Sequence, residues 1–112
     1  MPVIWKFDVM PEAFEVEMPT GARILSVACQ PGPRHIALWN QRLPEEGRAG
    51  WAAAGPRLWA LVEPSAPPVK RRFVTVATGQ PLPDEVNGFA YAGTFMFHSG
   101  QYVFHLFDAG EP

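Results

Sequence analysis

The chain has 112 residues, a length typical of a single domain, so we expect one hydrophobic core. Hydrophobic residues make up 47% of it and charged residues only 18%. With so few charges to cover the surface, we expect some apolar area to be exposed or buried in an interface, with a second copy or another partner. The net charge of −2 and the scattered basic residues argue against a nucleic-acid partner, because phosphate binding needs concentrated Lys and Arg.

The sequence also indicates which targeting signals and which cysteine chemistry to expect. Acidic residues appear early and no long apolar run follows, so we expect no signal peptide. No stretch approaches the ~20 apolar residues that a membrane-spanning helix needs. The lone Cys29 can form neither an internal disulfide nor a Cys-rich metal site. These features predict a cytoplasmic protein without a membrane partner.

Thirteen prolines and ten glycines divide the chain into short pieces, which leaves little room for long helices. The pieces are rich in β-branched and aromatic residues and several alternate between apolar and polar positions, which is typical of strands. The predicted strands, in chain order, are 3–9, 13–18, 22–30, 57–63, 71–78, 91–98 and 102–107. Strand 57–63 is apolar on both faces and is predicted to be central.

The pattern predicts an all-β fold: a small antiparallel β-sandwich or barrel of about seven to eight short strands. It is a single β domain over 1–112, with an irregular or short-helical insertion at about 33–55. Within the insertion, 35–39 could form a further strand. The Pro44-Glu45-Glu46 sequence, which is followed by alanines, could instead open a short helix, since acidic residues favour a helix N-terminus.

No group of residues predicts catalysis. His98 and His105 flank the last predicted turn and His35 is far away in sequence, so the histidines are expected to pack or cap at sheet positions. Cys29 alternates with apolar residues as a buried thiol does. The paired carboxylates of Glu15 and Glu17, two positions apart, fit the solvent face of an edge strand. We therefore expect no catalytic residue, no metal and no cofactor; an enzyme would need a site assembled in space.

The tryptophans separate into two groups. Trp5 and Trp59 lie in apolar strand patterns and are expected in the core, whereas Trp39 and Trp51 lie in the insertion among arginines. Trp and Arg dominate interface hot spots because they bury large areas and donate directed hydrogen bonds. The candidate binding residues are Arg34, Trp39, Arg42, Arg48 and Trp51, with Arg71 and Arg72 as a second choice. Alternatively, both insertion tryptophans fold back to plug the end of the barrel.

Six pieces of the chain together resemble a family of small proteins found in bacteriophages and in prophage-carrying bacterial genomes. These pieces are IWKF at 4–7, VEMPTGARILSV at 16–27, LWALVEP at 58–64, RRFVTVATG at 71–79, YAGTF at 91–95 and VFHLF at 103–107. In the family pattern the ILSV strand leads almost directly to the LWALV strand, so the connection here looks extended. Such long excursions are often functional.

The resemblance implies a non-enzymatic phage accessory protein that acts in the host cytoplasm by binding a host protein, for example as an inhibitor of a bacterial defence system. A second hypothesis is a small-ligand binder that sequesters a nucleotide-like signal, using Arg for phosphate and Trp for base stacking. A third is a hydrolase with a composite site. If the insertion only binds a partner, replacing it with a short turn should leave a folded domain.

Overall fold

The structure is a computed structural model that describes residues 1–30, 51, 54–97 and 100–112. In this part of the chain seven strands form two antiparallel sheets, and a 3-10 turn lies at Asp84–Val86. The strands are Val3–Asp8 (β1), Ala13–Pro19 (β2), Arg23–Cys29 (β3), Pro56–Val62 (β4), Pro68–Ala77 (β5), Ala90–Phe97 (β6) and Tyr102–Asp108 (β7). The all-β prediction is confirmed.

One sheet has three strands in the order β1-β4-β3, and the other has four in the order β2-β5-β7-β6. The central position predicted for β4 is confirmed, since it pairs with β1 on one side and β3 on the other. β5 begins at Pro68, earlier than predicted, because it continues to pair with the end of β2 as far as Pro19 opposite Pro68. Proline is tolerated there because it lies at a strand end.

The two sheets pack face to face around one core, so the fold is a sandwich and the sheets are not closed into a barrel. Leu58, Ala60 and Val62 of β4 are buried opposite residues such as Phe73 of β5 and Leu106 of β7. A smaller apolar cluster covers the other face of the four-stranded sheet, where Val86 of the 3-10 turn packs on Val74 and Val76. Because the turn covers this outer face, β5 is buried on both faces.

Strands β3 and β6 approach each other where the two sheets meet. Each strand has an irregular register nearby, between Ile24 and Ser26 in β3 and between Tyr91 and Gly93 in β6. A Cβ atom built on Gly93 would lie 3.2 Å from both Cβ and Cγ2 of Val27. Glycine at this position therefore allows the sheets to come into close contact, and we call this contact the β3–β6 seam.

Three expectations about side chains in the three-stranded sheet are wrong, namely those for Trp5, Cys29 and Trp59. Trp5 was expected in the core but is 41% exposed, because β1 has β4 as its one neighbour and lies at the edge of its sheet. Cys29 was expected to be buried but is half-buried. Trp59 is also half-buried, on β4 between the buried Leu58 and Ala60. Among the described residues, no helix has the length and apolar character needed to cross a membrane.

Candidate functional site

Trp51 lies in the hydrophobic core and is 1% exposed. Its indole Nε1 donates a hydrogen bond to the Val9 carbonyl at 3.0 Å. Its ring makes edge contacts with Phe95, Phe97 and Phe104, at centroid distances of 5.6, 6.1 and 4.9 Å. The indole N–H thus has its acceptor, and the ring is packed against aromatic residues of the same domain. Trp51 adopts the folded-back alternative and offers no ring surface to a partner.

Trp51 and Ala54 are both in helical conformation, and the Gly55 N–H donates to the Trp51 carbonyl at 3.0 Å. The other candidate binding residues of the insertion, namely Arg34, Trp39, Arg42 and Arg48, lie outside the described residues, as do the strand predicted at 35–39 and the helix start at Pro44. Their proposed binding role stays a prediction.

Arg71 is buried within the sandwich. Its Nε and one terminal nitrogen donate to the two Asp108 carboxylate oxygens at 3.0 and 2.6 Å, and its other terminal nitrogen donates to the Ala22 carbonyl at 2.6 Å. Asp108 also accepts the Gly110 N–H at 2.8 Å. Arg72 points to the opposite face, where it pairs with Glu85 at 3.0 Å and stays about half exposed. The two adjacent arginines therefore do not form one basic site.

Arg71 lines a cleft of about 300 Å³ beside the β3–β6 seam, which we call the Arg71 cleft. Its charged and aromatic lining comes from Arg23 on β3, Arg71 on β5, Tyr91 on β6 and Asp108 on β7. The remaining walls are small apolar residues, including Ala22, Ala90 and Ala92. Of the charged residues in this lining, Arg71 and Asp108 are paired with each other.

A cluster of hydroxyl groups surrounds His105 on the other face of the four-stranded sheet. Thr78 Oγ1 lies 2.7 Å from Nε2, and Thr94 Oγ1 lies 3.0 Å from Nδ1. The Tyr91 hydroxyl is within 3.4 Å of Nδ1 and also hydrogen-bonds to Thr94. The imidazole thus has both ring nitrogens engaged by neutral hydroxyl groups. This holds β5, β6 and β7 together, in keeping with the packed histidine expected from the sequence.

β1 has three exposed apolar side chains, with Val3 and Trp5 on the face of their partners Val62 and Ala60 and Ile4 on the opposite face, and we call this strand the β1 edge. Val3 is 38% exposed, Ile4 59% and Trp5 41%. The charged residues of the same strand are also exposed, but each has a partner in its own domain: Lys6 Nζ donates to Gln30 Oε1 at 2.7 Å, and Asp8 Oδ1 lies 3.2 Å from Arg57 Nε. The alternation of apolar and polar residues in β1 did not predict that these side chains would be exposed. The low charge content of the chain did predict exposed apolar area, but not its place.

The described residues contain no group of three or more His, Cys, Asp or Glu side chains placed to hold a metal ion. The molecule is thus a seven-stranded antiparallel β-sandwich over the described ranges, with an apolar edge and a small cleft beside Arg71. The chain belongs to DUF7352, a domain family of unknown function whose model matches residues 1–112. No curated protein and no solved structure matches it.

Proposed function

We propose that this is a non-enzymatic phage accessory protein that binds a host protein, and that it does so through the β1 edge. The observation that carries this proposal is the exposure of Val3, Ile4 and Trp5 on an edge strand. An edge strand offers a row of backbone N–H and C=O groups to which another chain can add a strand. Exposed apolar side chains beside that row add buried area to the same contact.

The edge strand β2 of the four-stranded sheet indicates how this protein protects an edge that faces water. On β2, Phe14 and Met18 point into the core, and the exposed positions between them are Glu15 and Glu17. Charges at such positions discourage strand addition because pairing would desolvate them. β1 lacks this protection at its first three residues, which is the arrangement expected of a strand that receives a partner.

The resemblance to phage proteins supports a host protein as the partner. A small accessory protein that adds a strand to a host defence protein would block that protein's own interactions and so act as an inhibitor. Of the described residues, the histidine that a hydrolase could use is His105, whose imidazole contacts neutral hydroxyl groups. That arrangement supplies no charged group to stabilise an imidazolium ion, so we favour binding over hydrolysis.

The test compares wild type with the double variant Ile4→Lys, Trp5→Lys. Each protein is expressed in bacteria that carry a defence system, and plaque formation by a restricted phage is counted, while the partner is captured from the same cells. We expect wild type to restore plaques and to retain one host protein, and the double variant to lose both properties. Leu82→Lys is the matched control because Leu82 is also exposed, at 56%, but lies in a loop.

A double variant that still folds, captures the same protein and restores plaques at the wild-type level would overturn the β1 edge as the binding surface. A purified wild type that forms a dimer, which the double variant converts to a monomer, would show that a second copy occupies the edge and would equally overturn the host-protein assignment. Circular dichroism establishes folding for each variant.

A further inference from the structure

We propose that the partner segment at the β1 edge is an antiparallel strand in which one acidic residue, placed opposite Lys6, interrupts a run of apolar residues. This inference rests on the proposed function, because it describes what binds at the same edge. It specifies the partner's backbone contacts and its sequence pattern. The direction in which each backbone group of β1 points and the character of its exposed side chains carry it.

The hydrogen bonds at the end of β1 show which of its residues bond to β4. The Val9 N–H donates to the Pro56 carbonyl at 3.1 Å, continuing the register that pairs Asp8 with Arg57. The backbone groups of successive residues in a strand point to opposite sides. The odd-numbered residues of β1 therefore bond to β4, and the N–H and C=O groups of its even-numbered residues point away from the sheet.

The other side of β4 has the complementary arrangement. The Gln30 N–H donates to the Gly55 carbonyl at 2.8 Å, in the register of β3 with β4. Gly55 thus bonds toward β3 and Pro56 toward β1, as successive residues beside and within a central strand do. The two hydrogen bonds give the same assignment of directions independently.

The free row of backbone groups at the β1 edge consequently belongs to Ile4, Lys6 and Asp8. None of the described residues forms a backbone hydrogen bond to this row. Donors and acceptors that recur at every second residue match those of another extended chain, so the occupant is a strand. Antiparallel pairing is the more stable form per residue and is the form of both sheets here.

The exposed apolar residues that bond to β4 lie where an added strand would approach most closely. Toward an antiparallel partner, Val3, Trp5 and Phe7 occupy non-hydrogen-bonded positions, where facing Cα atoms are about 4.5 Å apart and side chains touch. Val3 and Trp5 are 38% and 41% exposed, and Phe7 is half-buried. Apolar or aromatic residues of the partner at the facing positions would stabilise the pairing.

The opposite face of β1 determines the remaining partner positions. Ile4 is 59% exposed and favours an apolar neighbour, whereas Lys6 is an exposed cation. The Lys6 ammonium has three N–H groups and donates one hydrogen bond, to Gln30 Oε1. An acidic residue opposite Lys6 would accept a further one, and a basic residue there would be repelled. Read from its N-terminus, the partner strand is therefore apolar, acidic, and then apolar at three successive positions.

Amide hydrogen exchange on the free wild-type chain tests the directions of the backbone groups. The amides of Trp5 and Phe7 should exchange slowly because they bond to β4, and those of Ile4 and Lys6 should exchange rapidly because they face solvent. Equal exchange at the four positions, or the reverse pattern, would overturn the inference.

Two synthetic peptides test the sequence pattern: Thr-Val-Glu-Val-Ile-Val-Thr, and the same peptide with lysine in place of glutamate. In NMR titrations, wild type should bind the glutamate peptide about two- to five-fold more tightly than the lysine peptide, and Lys6→Glu should reverse this preference. Lys70→Glu is the matched control, because Lys70 is exposed on β5 and the substitution changes the net charge equally. It should keep the wild-type preference.

The outcomes that contradict the pattern are distinct. No saturable binding of the glutamate peptide to wild type up to about 1 mM would overturn the inference. A preference that Lys6→Glu leaves unchanged would also overturn it, because the acidic residue would then not face position 6. If Lys70→Glu reversed the preference as fully as Lys6→Glu, a general charge effect would replace the specific contact.

A backbone test compares Lys6→Pro with Lys6→Ala. Both lose the ammonium, but only the proline lacks the outward N–H, and proline is tolerated where an edge strand faces solvent. Lys6→Pro should bind the glutamate peptide at least about ten-fold more weakly than Lys6→Ala. Equal binding by the two folded variants would overturn the strand pairing. Circular dichroism establishes folding, and if Lys6→Pro does not fold, the exchange and charge-reversal measurements decide.

This inference and the proposed function fail in different experiments. If cells retain the same host protein on Lys6→Pro as strongly as on Lys6→Ala, the strand pattern is wrong and the β1 edge as the host-binding surface stands. If the peptide results hold but wild type captures no host protein, the host-protein assignment is wrong and the strand pattern stands.

Discussion

The two edge strands β1 and β2 come from neighbouring parts of the sequence and alternate in similar ways, yet their environments differ. On β2, Phe14 and Met18 are buried and the intervening glutamates face water. On β1, the apolar Val3 and Trp5 lie beside buried residues of β4 but are themselves exposed. Alternation therefore tells which side chains share a face. Whether that face is covered depends on how far the opposite sheet extends.

The largest expected effect compares one aromatic side chain from each edge. Phe14→Ala should lower the free energy of unfolding by about 3–5 kcal/mol, because it leaves a cavity beside the stacked ring of Phe73. Trp5→Ala should cost only about 1–2 kcal/mol, since much of its ring is already in water. Urea unfolding monitored by circular dichroism measures both. Equal costs would mean that β1 belongs to the core as fully as β2.

A smaller effect is expected at the β3–β6 seam, where the other two edge strands of the described sheets contact each other. Gly93→Ala should destabilise the protein by about 1–3 kcal/mol, because the new methyl group would crowd Val27. Val27→Ala in the same chain should recover part of that loss. A double-mutant cycle from unfolding curves gives the coupling energy. If the stability changes of Gly93→Ala and Val27→Ala were additive, residues 93 and 27 would not be in steric contact.

Removing the charges of β2 should make its edge behave like that of β1. Glu15→Val together with Glu17→Val should change the free energy of unfolding by about 0.5 kcal/mol or less, since both side chains are exposed. The same variant should self-associate in sedimentation experiments, because an unprotected apolar edge attracts strands. The matched pair Glu15→Gln, Glu17→Gln should associate less. A monomeric valine variant would argue against charge as the protection.

The smallest effect concerns chemistry rather than stability. Burial raises the pKa of the Cys29 thiol on β3, because desolvation disfavours the thiolate. The folded protein should therefore react with a disulfide reagent more slowly than the unfolded chain at neutral pH, and the rate should rise at a higher pH than for a free thiol. The chain has one cysteine, so the signal is unambiguous. Equal rates in both states would contradict this.

The strands were predictable because their signal is local. β-branched and aromatic runs between prolines and glycines indicated all seven strands, and the apolar run of β4 indicated its central place. The pairing of Arg71 with Asp108 could not be read in this way, since the two residues are 37 positions apart and meet only through the register of β5 and β7. The Arg71 cleft was hidden for the same reason.

Trp51 shows a different limit of prediction from sequence. The sequence around Trp51 contains glycines, alanines and arginines, and such a sequence is compatible with a surface loop or with a segment that returns to the core. What decides is the acceptor for its indole, the Val9 carbonyl, which lies 42 positions earlier in sequence. Replacing the whole stretch from Pro31 to Arg57 would thus remove a core residue together with the insertion, and a folded product is no longer expected.

The order of the four-stranded sheet places β7 between β5 and β6, although it is the last strand in sequence. During synthesis, β2 and β5 emerge first and can pair, but β6 has no neighbour in that sheet until β7 is present. Buried Asp108, at the end of β7, reaches Arg71 only at this stage. The polypeptide therefore completes its core only after its final strand has left the ribosome, and chains cut short before β7 would be recognised as unfolded by cellular proteases.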